Sequence, residues 1–283
     1  MLADSLTVGI IQFRTRPGEV EENLAETSEL ISSAKKQGAE VVVLPEMWPT
    51  GYGDIPYRDL SAPIPGRYSD FLSENAIRHK MHIVAGIPER EAKEIHNCAV
   101  LVDEKGRIVG KHRKIHLYRP VGEDKIWRAG DTFTVLDTRI GRIGLLICYD
   151  GDFPESWRVN TLMGAEIIFH VNAYETPCED WWNKFYPTAA LQNAVWIVQC
   201  NSVGDTKDKV PKHFFGDSRI IAPDGRIVAE APYVPPGGIA ESYLLIKRIA
   251  LRKEFEEARR LYGNFLRDRR PETYGPVTSK INR

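Results

Sequence analysis

The sequence predicts an α/β protein with mixed β-sheets, and two patterns support this prediction. First, short β-branched runs alternate with longer segments of helical periodicity, beginning with Thr7–Gln12, Val20–Lys36 and Val41–Leu44. Second, turn sequences further along the chain join strand-like runs with no helix between them, which is typical of antiparallel hairpins. Since helical crossovers give parallel strands and hairpins give antiparallel ones, we expect both kinds of pairing.

The first third of the chain supplies alternating strands and helices. The helix predicted over Val20–Lys36 has an apolar face, ends in two lysines and stops before Gly38. A second helix is predicted over about Ser69–Lys80, and a strand follows it over His82–Ile87. These elements are typical of the parallel part of an α/β sheet.

The rest of the chain adds hairpins to this α/β frame. Turns at 103–106, 139–141 and 223–225 predict hairpins over Ala99–His116, Thr132–Ile147 and Ser218–Ala229. Helices are predicted around Pro154–Met163 and Asp180–Asn193, with strands over Ile167–Val171 and Val195–Cys200. The sheets are therefore expected to be mixed.

Length and composition predict one large domain with a short tail. The 283 residues are 42% hydrophobic, and 38 basic residues nearly balance 39 acidic ones, for a formal charge of -1. Such a chain can bury a substantial core, and its near-neutral charge argues against nucleic acid as a partner. We expect a domain over residues 1–253 and a charged, aromatic tail over 254–283 that packs at a subunit interface; a loosely ordered terminus is the alternative.

Targeting signals and cysteine usage predict a cytoplasmic protein. Asp4 stands where a signal peptide carries positive charge, and no run approaches the roughly 18 apolar residues that span a bilayer. Four cysteines in a chain of this length do not form a dense disulfide framework, and no Asn-x-Ser/Thr acceptor occurs. We therefore expect a reducing compartment, no membrane partner, and thiols that are free for chemistry.

Several familiar chemistries lack their sequence motifs. The chain has no G-x-G-x-x-G after a strand, no G-x-x-x-x-G-K-[ST], no H-E-x-x-H and no G-x-S-x-G. His112 and His116 are spaced like metal ligands, but Arg113 and Lys114 lie beside them and would oppose a cation. We interpret the two histidines as ordinary polar strand residues, and we expect neither a metal nor another cofactor.

Three strand ends carry three different chemical functions. Cys148 ends a predicted strand just before Pro154, which is suited to the first turn of a helix, and a thiol at the carboxyl end of an α/β sheet lies where ligands bind. Glu46 ends the apolar run VVVLPE, where an unpaired charge is costly, and Lys114 ends another strand before an irregular loop. The alternatives are a buried structural cysteine and solvated charges.

These motifs together resemble the nitrilase superfamily of carbon–nitrogen hydrolases. The matching stretches are VVVLPE with Glu46, HRKIHL with Lys114 and GLLICYD with Cys148, and the likeness extends from GIIQF to RRPETY. The resemblance implies a four-layer α-β-β-α sandwich with two sheets between helices, assembled into a homodimer or higher homo-oligomer. It also implies a second glutamate in EDKIWRAGD, which we assign to Glu123, with Asp124 as the alternative.

The resemblance implies a cysteine-dependent amidohydrolase, and elementary chemistry gives each residue a task. A thiol of pKa about 8.5 needs a base, which Glu46 supplies by taking the proton and returning it to the departing amine. Lys114 and the backbone N–H of Tyr149 stabilise the oxyanion. Water activated by Glu46 then hydrolyses the thioester, with Glu123 positioning substrate or water.

The substrate predicted from the sequence is a small neutral or cationic amide. The family's nitrilases carry Cys-Trp-Glu where this chain has Cys-Tyr-Asp, and its N-carbamoyl-amino-acid amidohydrolases carry an arginine pair where this chain has Gly151 and Asp152. Asp152 either caps the following helix or contacts substrate. Aromatic residues near the predicted strand ends are expected to wall an apolar pocket, with core or dimer packing as the alternative: Trp48, Tyr52, Tyr174, Trp181 and Trp182.

Other functions stay open at this point. The alternative substrate is an N-carbamoyl amine resembling N-carbamoylputrescine, or another ureido compound; a nitrilase and a non-catalytic interaction protein are weaker alternatives. If the substrate carries a carboxylate, Arg158 and Lys184 are the first cations to consider.

Overall fold

The computed structural model describes residues 2–209 and 211–279, in which two six-stranded mixed sheets pack face to face. The first sheet has the order β14-β1-β2-β3-β4-β5 and the second β13-β12-β9-β8-β7-β6, while β10 and β11 form a separate ribbon. The strands are β1 Leu6–Gln12, β2 Val41–Val43, β3 His82–Glu91, β4 Glu94–Val102, β5 Ile108–Arg113, β6 Thr134–Thr138, β7 Gly141–Ile147, β8 Ile167–Asn172, β9 Trp196–Asn201, β10 Val203–Asp205, β11 His213–Phe215, β12 Arg219–Ile221, β13 Ile227–Glu230 and β14 Tyr243–Ile249.

Helices cover the outer face of each sheet. Among the described residues these are α1 Val20–Lys36, α2 Tyr57–Leu60, α3 Arg67–His79, α4 Glu123–Ile126, α5 Pro154–Leu162, α6 Glu179–Asn193, α7 Leu251–Tyr262, α8 Asn264–Arg267 and α9 Gly275–Thr278. No described helix is long and apolar enough to cross a membrane.

Alternation along the strands divides the core into layers. Val8 and Ile10 of β1 point between the two sheets, where they join residues of β7, β8 and β9. Ile11 and Val42 belong instead to a second core that packs under α1 and α3. A third core lies between the second sheet and helices α5 and α6. The predicted four-layer α-β-β-α sandwich is therefore confirmed.

Parallel and antiparallel pairings coexist, as the sequence predicts. β1, β2 and β3 pair in parallel, as do β7, β8 and β9, while β3-β4, β4-β5, β6-β7 and β12-β13 form antiparallel hairpins. The helix predicted over Val20–Lys36 has those bounds in the structure. The parallel strands direct their carboxyl ends to one edge, and the residues that follow them build the site.

Three elements differ from the prediction. β3 continues to Glu91 and forms a long hairpin with β4 that the polar residues at its tip concealed. β5 ends at Arg113 rather than His116, because the N–H groups of Ile115 and His116 donate to the Asp150 carboxylate instead of to a strand. β14 was not predicted; it pairs antiparallel with β1 over all seven residues.

The chain leaves the core between the two sheets through α7 and continues over the surface. Leu251 is buried between the sheets, and its carbonyl accepts a hydrogen bond from Trp196 Nε1 at 3.0 Å. Arg259 Nε donates to the carbonyl of Ala194 at 3.0 Å. Helix α7 therefore crosses residue 254, where the tail was predicted to begin, and residues 280–283 of that tail lie outside the described residues.

Candidate active site

Glu46, Lys114, Glu123 and Cys148, the four predicted catalytic residues, line one cavity of about 210 Å³. Glu46 follows β2 by three residues, while Lys114 and Cys148 come directly after β5 and β7. The structure thus brings together side chains from distant parts of the sequence, since Glu46 and Cys148 are 102 residues apart. Glu46, Lys114 and Cys148 lie at or shortly after the ends of strands, as expected for ligand sites in α/β folds.

The ammonium of Lys114 lies between two carboxylates. Its Nζ atom donates to Glu46 Oε1 at 2.9 Å and to Glu123 Oε1 at 2.8 Å, and all three side chains are buried. Glu123 Oε2 accepts a further bond from the N–H of Tyr118 at 2.7 Å. Asp124, the alternative to Glu123, is exposed. The glutamate is therefore the residue that faces the cavity.

Burial and these neighbours shift the pKa values of the group. Burial alone lowers the pKa of the Lys114 ammonium, but the carboxylates of Glu123 and Glu46 outweigh it and raise that pKa well above its ordinary value. Burial raises the pKa of Glu123, against the opposing effect of Lys114 and in the same direction as the charge of Glu46. The lysine therefore stays charged at neutral pH.

Asn97 also binds this group, and the sequence analysis did not identify it. Its Nδ2 atom donates to Glu46 Oε1 at 2.7 Å and to the hydroxyl of Tyr52 at 3.1 Å. Asn97 is buried within β4, and little in the sequence indicates its role, because the strand also contains the polar residues Glu94 and His96. Its amide fixes the Glu46 carboxylate and links it to the cavity wall.

Cys148 lies at the start of a tight turn. Its φ of 42° is in the left-handed region, which is uncommon for residues other than glycine, asparagine and aspartate. Its carbonyl accepts a hydrogen bond from His170 Nε2 at 2.8 Å, and Gln199 Nε2 donates to His170 Nδ1 at 3.4 Å. Gly151 is required beneath this turn, since a Cβ there would lie 2.4 Å from His170 Cε1.

The thiol of Cys148 is protonated at neutral pH. Burial raises its pKa well above the ordinary value, the charge of Glu46 adds to this, and the Lys114 ammonium opposes it. Burial also lowers the pKa of His170 to about 4, so the imidazole that holds the turn is neutral. A thiol in these surroundings needs a base to become a nucleophile.

Of the two alternatives for Asp152, a cap of helix α5 and a contact with substrate, the cap is wrong. Phe153 is the residue before the helix, and no side chain caps that end. The Asp152 carboxylate turns into the cavity, where its Oδ1 atom accepts hydrogen bonds from the hydroxyls of Tyr174 at 2.6 Å and Tyr186 at 2.8 Å. Burial raises its pKa, against the effect of both phenols.

The aromatic residues expected to wall a pocket lie partly in the cavity lining and partly in the core. Tyr52, Tyr174, Trp181 and the residue whose N–H was assigned to the oxyanion, Tyr149, line the cavity. Trp48 does not, because it packs in the core under α3 with its ring 5.6 Å from that of Phe71. Trp182 likewise belongs to the core between the second sheet and its helices. Aromatic residues not singled out from the sequence complete the wall: Tyr57, Tyr118, Trp127 and Phe214.

The other end of the cavity is more exposed. Lys212 Nζ lies 3.2 Å from Glu175 Oε1 there, in a pair that retains solvent contact, and Asp208 and Cys178 lie beside it. We call these four residues, with Trp181, the mouth, and we call Glu46, Lys114, Glu123 and Cys148 the floor. Arg158 and Lys184, the cations considered first for a carboxylate substrate, do not line the cavity.

His112 and His116 do not form a metal site. Each donates to the Asp150 carboxylate, and the described ranges contain no group of three or more His, Cys, Asp or Glu side chains arranged to hold a metal. The interpretation as ordinary strand residues is wrong for His116, which lies beyond the end of β5, and incomplete for His112, since both histidines bind a single buried acid.

Comparison with known proteins agrees with this geometry. The carbon–nitrogen hydrolase family model matches residues 7–251. A nitrilase from Pyrococcus abyssi is 32% identical over 94% of this chain and 98% of its own length, and a 2-oxoglutaramate amidase from Bacillus subtilis is 33% identical over 79% and 85%. A carbon–nitrogen hydrolase structure from Helicobacter pylori superposes with a TM-score of 0.86 at 26% identity, covering 98% of this chain and 99% of that one. The chain therefore belongs to the carbon–nitrogen hydrolases of the nitrilase superfamily and is an amide-hydrolysing enzyme.

Proposed function

We propose that this enzyme hydrolyses a small neutral or cationic amide through a thioester on Cys148, releasing ammonia or an amine and a carboxylic acid. The observation that carries the substrate class is the charge of the cavity. Among the described lining residues, five carboxylates face two ammonium groups: Glu46, Glu123, Asp152, Glu175 and Asp208 against Lys114 and Lys212. Both lysines are already paired with carboxylates, so a substrate carboxylate finds no free cation.

The first chemical step is acylation of the thiol. Glu46 takes the proton of Cys148 while the sulfur attacks the amide carbon, and the resulting oxyanion lies against the Lys114 ammonium and the N–H of Tyr149. Glu46 returns the proton to the nitrogen, the C–N bond breaks, and the amine leaves. The raised pKa of the thiol supports the need for this base.

The second step is hydrolysis of the thioester. A water molecule gives its proton to Glu46 and attacks the carbonyl carbon, the C–S bond breaks, and the thiol regains a proton as the acid leaves. Glu123 positions substrate or water, since its carboxylate is fixed on Lys114 and on the N–H of Tyr118. The cycle uses no cofactor.

Asp152 supports the preference for neutral or cationic substrates. Its Oδ1 atom accepts two phenolic hydrogen bonds, and the carboxylate lines the same cavity as Cys148. An amide nitrogen, a ureido group or an alkylammonium on the substrate is a suitable donor to it, whereas a substrate carboxylate is repelled. An N-carbamoyl amine is therefore the alternative substrate within the same class.

The experiment is a comparison of three amides of equal chain length: pentanamide (neutral), 5-aminopentanamide (cationic) and glutaramate (anionic). We expect kcat/KM for the first two to exceed that for glutaramate by at least about 10-fold, as repulsion worth about 1.4 kcal/mol requires. N-carbamoylputrescine, pentanenitrile and 2-oxoglutaramate complete the panel. Because one relative is named a 2-oxoglutaramate amidase, a clear preference for the anionic compounds is the outcome that contradicts the proposed substrate class.

We also propose that the enzyme is a cytoplasmic homodimer or higher homo-oligomer whose 254–283 tail packs at the subunit interface. Large apolar side chains of the tail are 40–59% exposed in the single chain: Leu261, Phe265, Tyr274 and Val277. All four cysteines are free, which suits a reducing compartment. Light scattering is expected to give at least twice the monomer mass, and replacing Leu261 and Phe265 by serine is expected to lower it; a wild-type monomer contradicts the proposal.

A further inference from the structure

Asp150 is fully buried and has no part in the chemistry proposed above. Its carboxylate accepts five hydrogen bonds. Oδ1 accepts from the N–H of Ile115 at 3.1 Å, the N–H of His116 at 2.9 Å and His116 Nδ1 at 2.9 Å. Oδ2 accepts from His112 Nε2 at 3.0 Å and the N–H of Ile147 at 3.3 Å. Asp150 does not line the cavity.

The five donors come from the two segments that carry the reacting groups. His112, Ile115 and His116 surround Lys114 in the sequence, and Ile147 directly precedes Cys148. Lys114 lies on the first sheet side and Cys148 on the second, so their relative position depends on contacts between the sheets. The Asp150 carboxylate connects the segment around Lys114 to the segment around Cys148.

The bonds to Asp150 are those of an ionised acid. Burial by itself raises the pKa of Asp150, but hydrogen bonds from His112 and His116 outweigh it and hold that pKa well below its ordinary value. An amide cannot replace this group, since its NH₂ would face N–H donors on one side. The charge and both oxygens are therefore required.

We propose that Asp150 is a positioning residue that holds the Lys114 segment against the Cys148 turn, so that the ammonium lies where the oxyanion forms. The proposal rests on the functions proposed for Lys114 and Cys148. Asp150 touches neither residue's reacting atom and acts through the backbone of both segments. A displacement of about 1 Å at a reacting centre can cost about 100-fold in rate.

The first test compares Asp150→Asn with Asp103→Asn. Asp103 is a matched control, because it is also buried and accepts backbone N–H groups, those of Lys105 and Arg107, in the β4-β5 turn outside the cavity lining. We expect Asp150→Asn to lower kcat by about 10–100-fold with KM changed less than threefold, and Asp103→Asn to leave kcat within twofold. Equal kcat losses in the two variants would overturn the proposal.

A double-mutant cycle separates positioning from general damage. Pre-steady-state acylation by p-nitrophenyl acetate, whose good leaving group keeps slow variants measurable, is followed in wild type, Asp150→Asn, Lys114→Met and the double variant. In the Lys114→Met background Asp150→Asn is expected to cost less than threefold, because the group it positions is absent. Additive losses contradict the positioning role, whereas a normal rate in Lys114→Met alone contradicts the proposed function instead.

His116 provides a test that does not depend on Asp150→Asn folding. The His116 ring stacks on Phe153 at 3.8 Å while its Nδ1 atom donates to Asp150. His116→Phe keeps the stacking and removes the donor, whereas His116→Asn loses the stacking and keeps a donor near the Nδ1 position. We expect kcat to fall about five- to tenfold in His116→Phe, consistent with loss of one charge-assisted hydrogen bond, and to stay within twofold in His116→Asn. The reverse order shows that the ring only packs, and overturns the proposal.

Discussion

The cavity contains a lysine–glutamate ion pair together with a cysteine twice, once in its floor and once at its mouth. In the floor, Lys114 Nζ lies 2.9 Å from Glu46 Oε1 beside Cys148, and both charged side chains are 1% exposed. At the mouth, Lys212 Nζ lies 3.2 Å from Glu175 Oε1 beside Cys178, with side-chain exposures of 34% and 19%. The lysine, its paired glutamate and the cysteine are the same three residue types in both places, so the difference between these two trios lies in their surroundings.

Hydrogen bonds from neighbouring buried residues hold the side chains of the floor in place, whereas the ion pair at the mouth is in contact with solvent. Asn97 and Glu123 hold the floor pair, and Cys148 lies on a strained turn tied to His170. Water screens the Lys212–Glu175 ion pair at the mouth, so this pair contributes little to stability. Burial, followed by the charge of Glu175, raises the pKa of Cys178 to about 11, and this residue precedes helix α6 instead of following a strand of the sheet. Preorganisation, rather than residue type, distinguishes the two sets.

Removing the two thiols gives the largest expected contrast. Cys148→Ala is expected to reduce turnover below about 10⁻⁴ of wild type, because the nucleophile is lost. Cys178→Ala is the control, and its turnover is expected to stay within twofold. Steady-state release of ammonia measures both, with circular dichroism to check the fold. If Cys148→Ala kept turnover comparable to that of wild type, the floor would not be the reacting centre.

The two glutamates give the next contrast. Glu46→Gln is expected to lower kcat by about 10²–10⁴-fold, since the amide cannot accept the proton of a thiol whose pKa is raised. Alkylation of Cys148 by iodoacetamide at neutral pH is expected to slow in parallel. Glu175→Gln is expected to change kcat less than threefold. If the two variants lost kcat equally, the base would have to be sought at the mouth.

The two lysines sharpen the comparison at a smaller scale. Lys114→Met is expected to lower kcat by about 10²–10³-fold, the usual effect of losing one oxyanion donor. Lys212→Met keeps the apolar stem of the side chain and removes only a solvent-screened ion pair. It is therefore expected to change KM more than kcat, and to change each by less than about threefold. Loss of affinity without loss of kcat in Lys114→Met contradicts the assignment of its ammonium to the oxyanion.

The smallest expected effect concerns pH and the histidine beneath the floor. The pKa of His170 is about 4 in the folded protein, against about 6.5 in an unfolded chain. Between these values the unfolded state binds more protons, so the free energy of unfolding falls as pH falls from 6.5 towards 4. Thermal melts at pH 7 and pH 5 are expected to show a smaller loss of Tm in His170→Gln than in wild type. An unchanged loss would mean that other groups dominate the acid response.

Local pattern predicted the α/β class, the mixed sheets and three residues of the floor, whereas the four layers and the role of Glu123 were implied by the resemblance to the nitrilase superfamily. Alternation and turn residues mark most strands, Glu46 and Cys148 each end an apolar run, and Lys114 ends a predicted strand. Asn97 was not predicted, since a polar residue inside a strand does not reveal which carboxylate lies opposite. A helix cap was one of the two alternatives for Asp152, because its sequence position allows it, but its carboxylate accepts hydrogen bonds from the hydroxyls of Tyr174 and Tyr186, 22 and 34 residues away.

Long-range partners also explain the missed elements. β14 lacks a clean alternation of apolar and polar residues, and its pairing with β1 is visible only in three dimensions. Trp48 was expected in the cavity wall because it follows Glu46 closely, yet its preceding residue Met47 has a φ of 53°, and the chain turns the indole into the core. Local sequence indicates what a residue can do, while the pairing of distant segments decides where it does so.

The pairing of β1 with β14 has a consequence for how the protein is made. β1 leaves the ribosome long before β14, and Leu6 pairs with Ile249. Until β14 has been synthesised, one edge of β1 has no partner, and an open edge is a template for wrong pairing with other chains. A nascent chain arrested before residue 243 is therefore expected to depend on chaperones, and a premature stop there to give aggregate rather than a shortened enzyme.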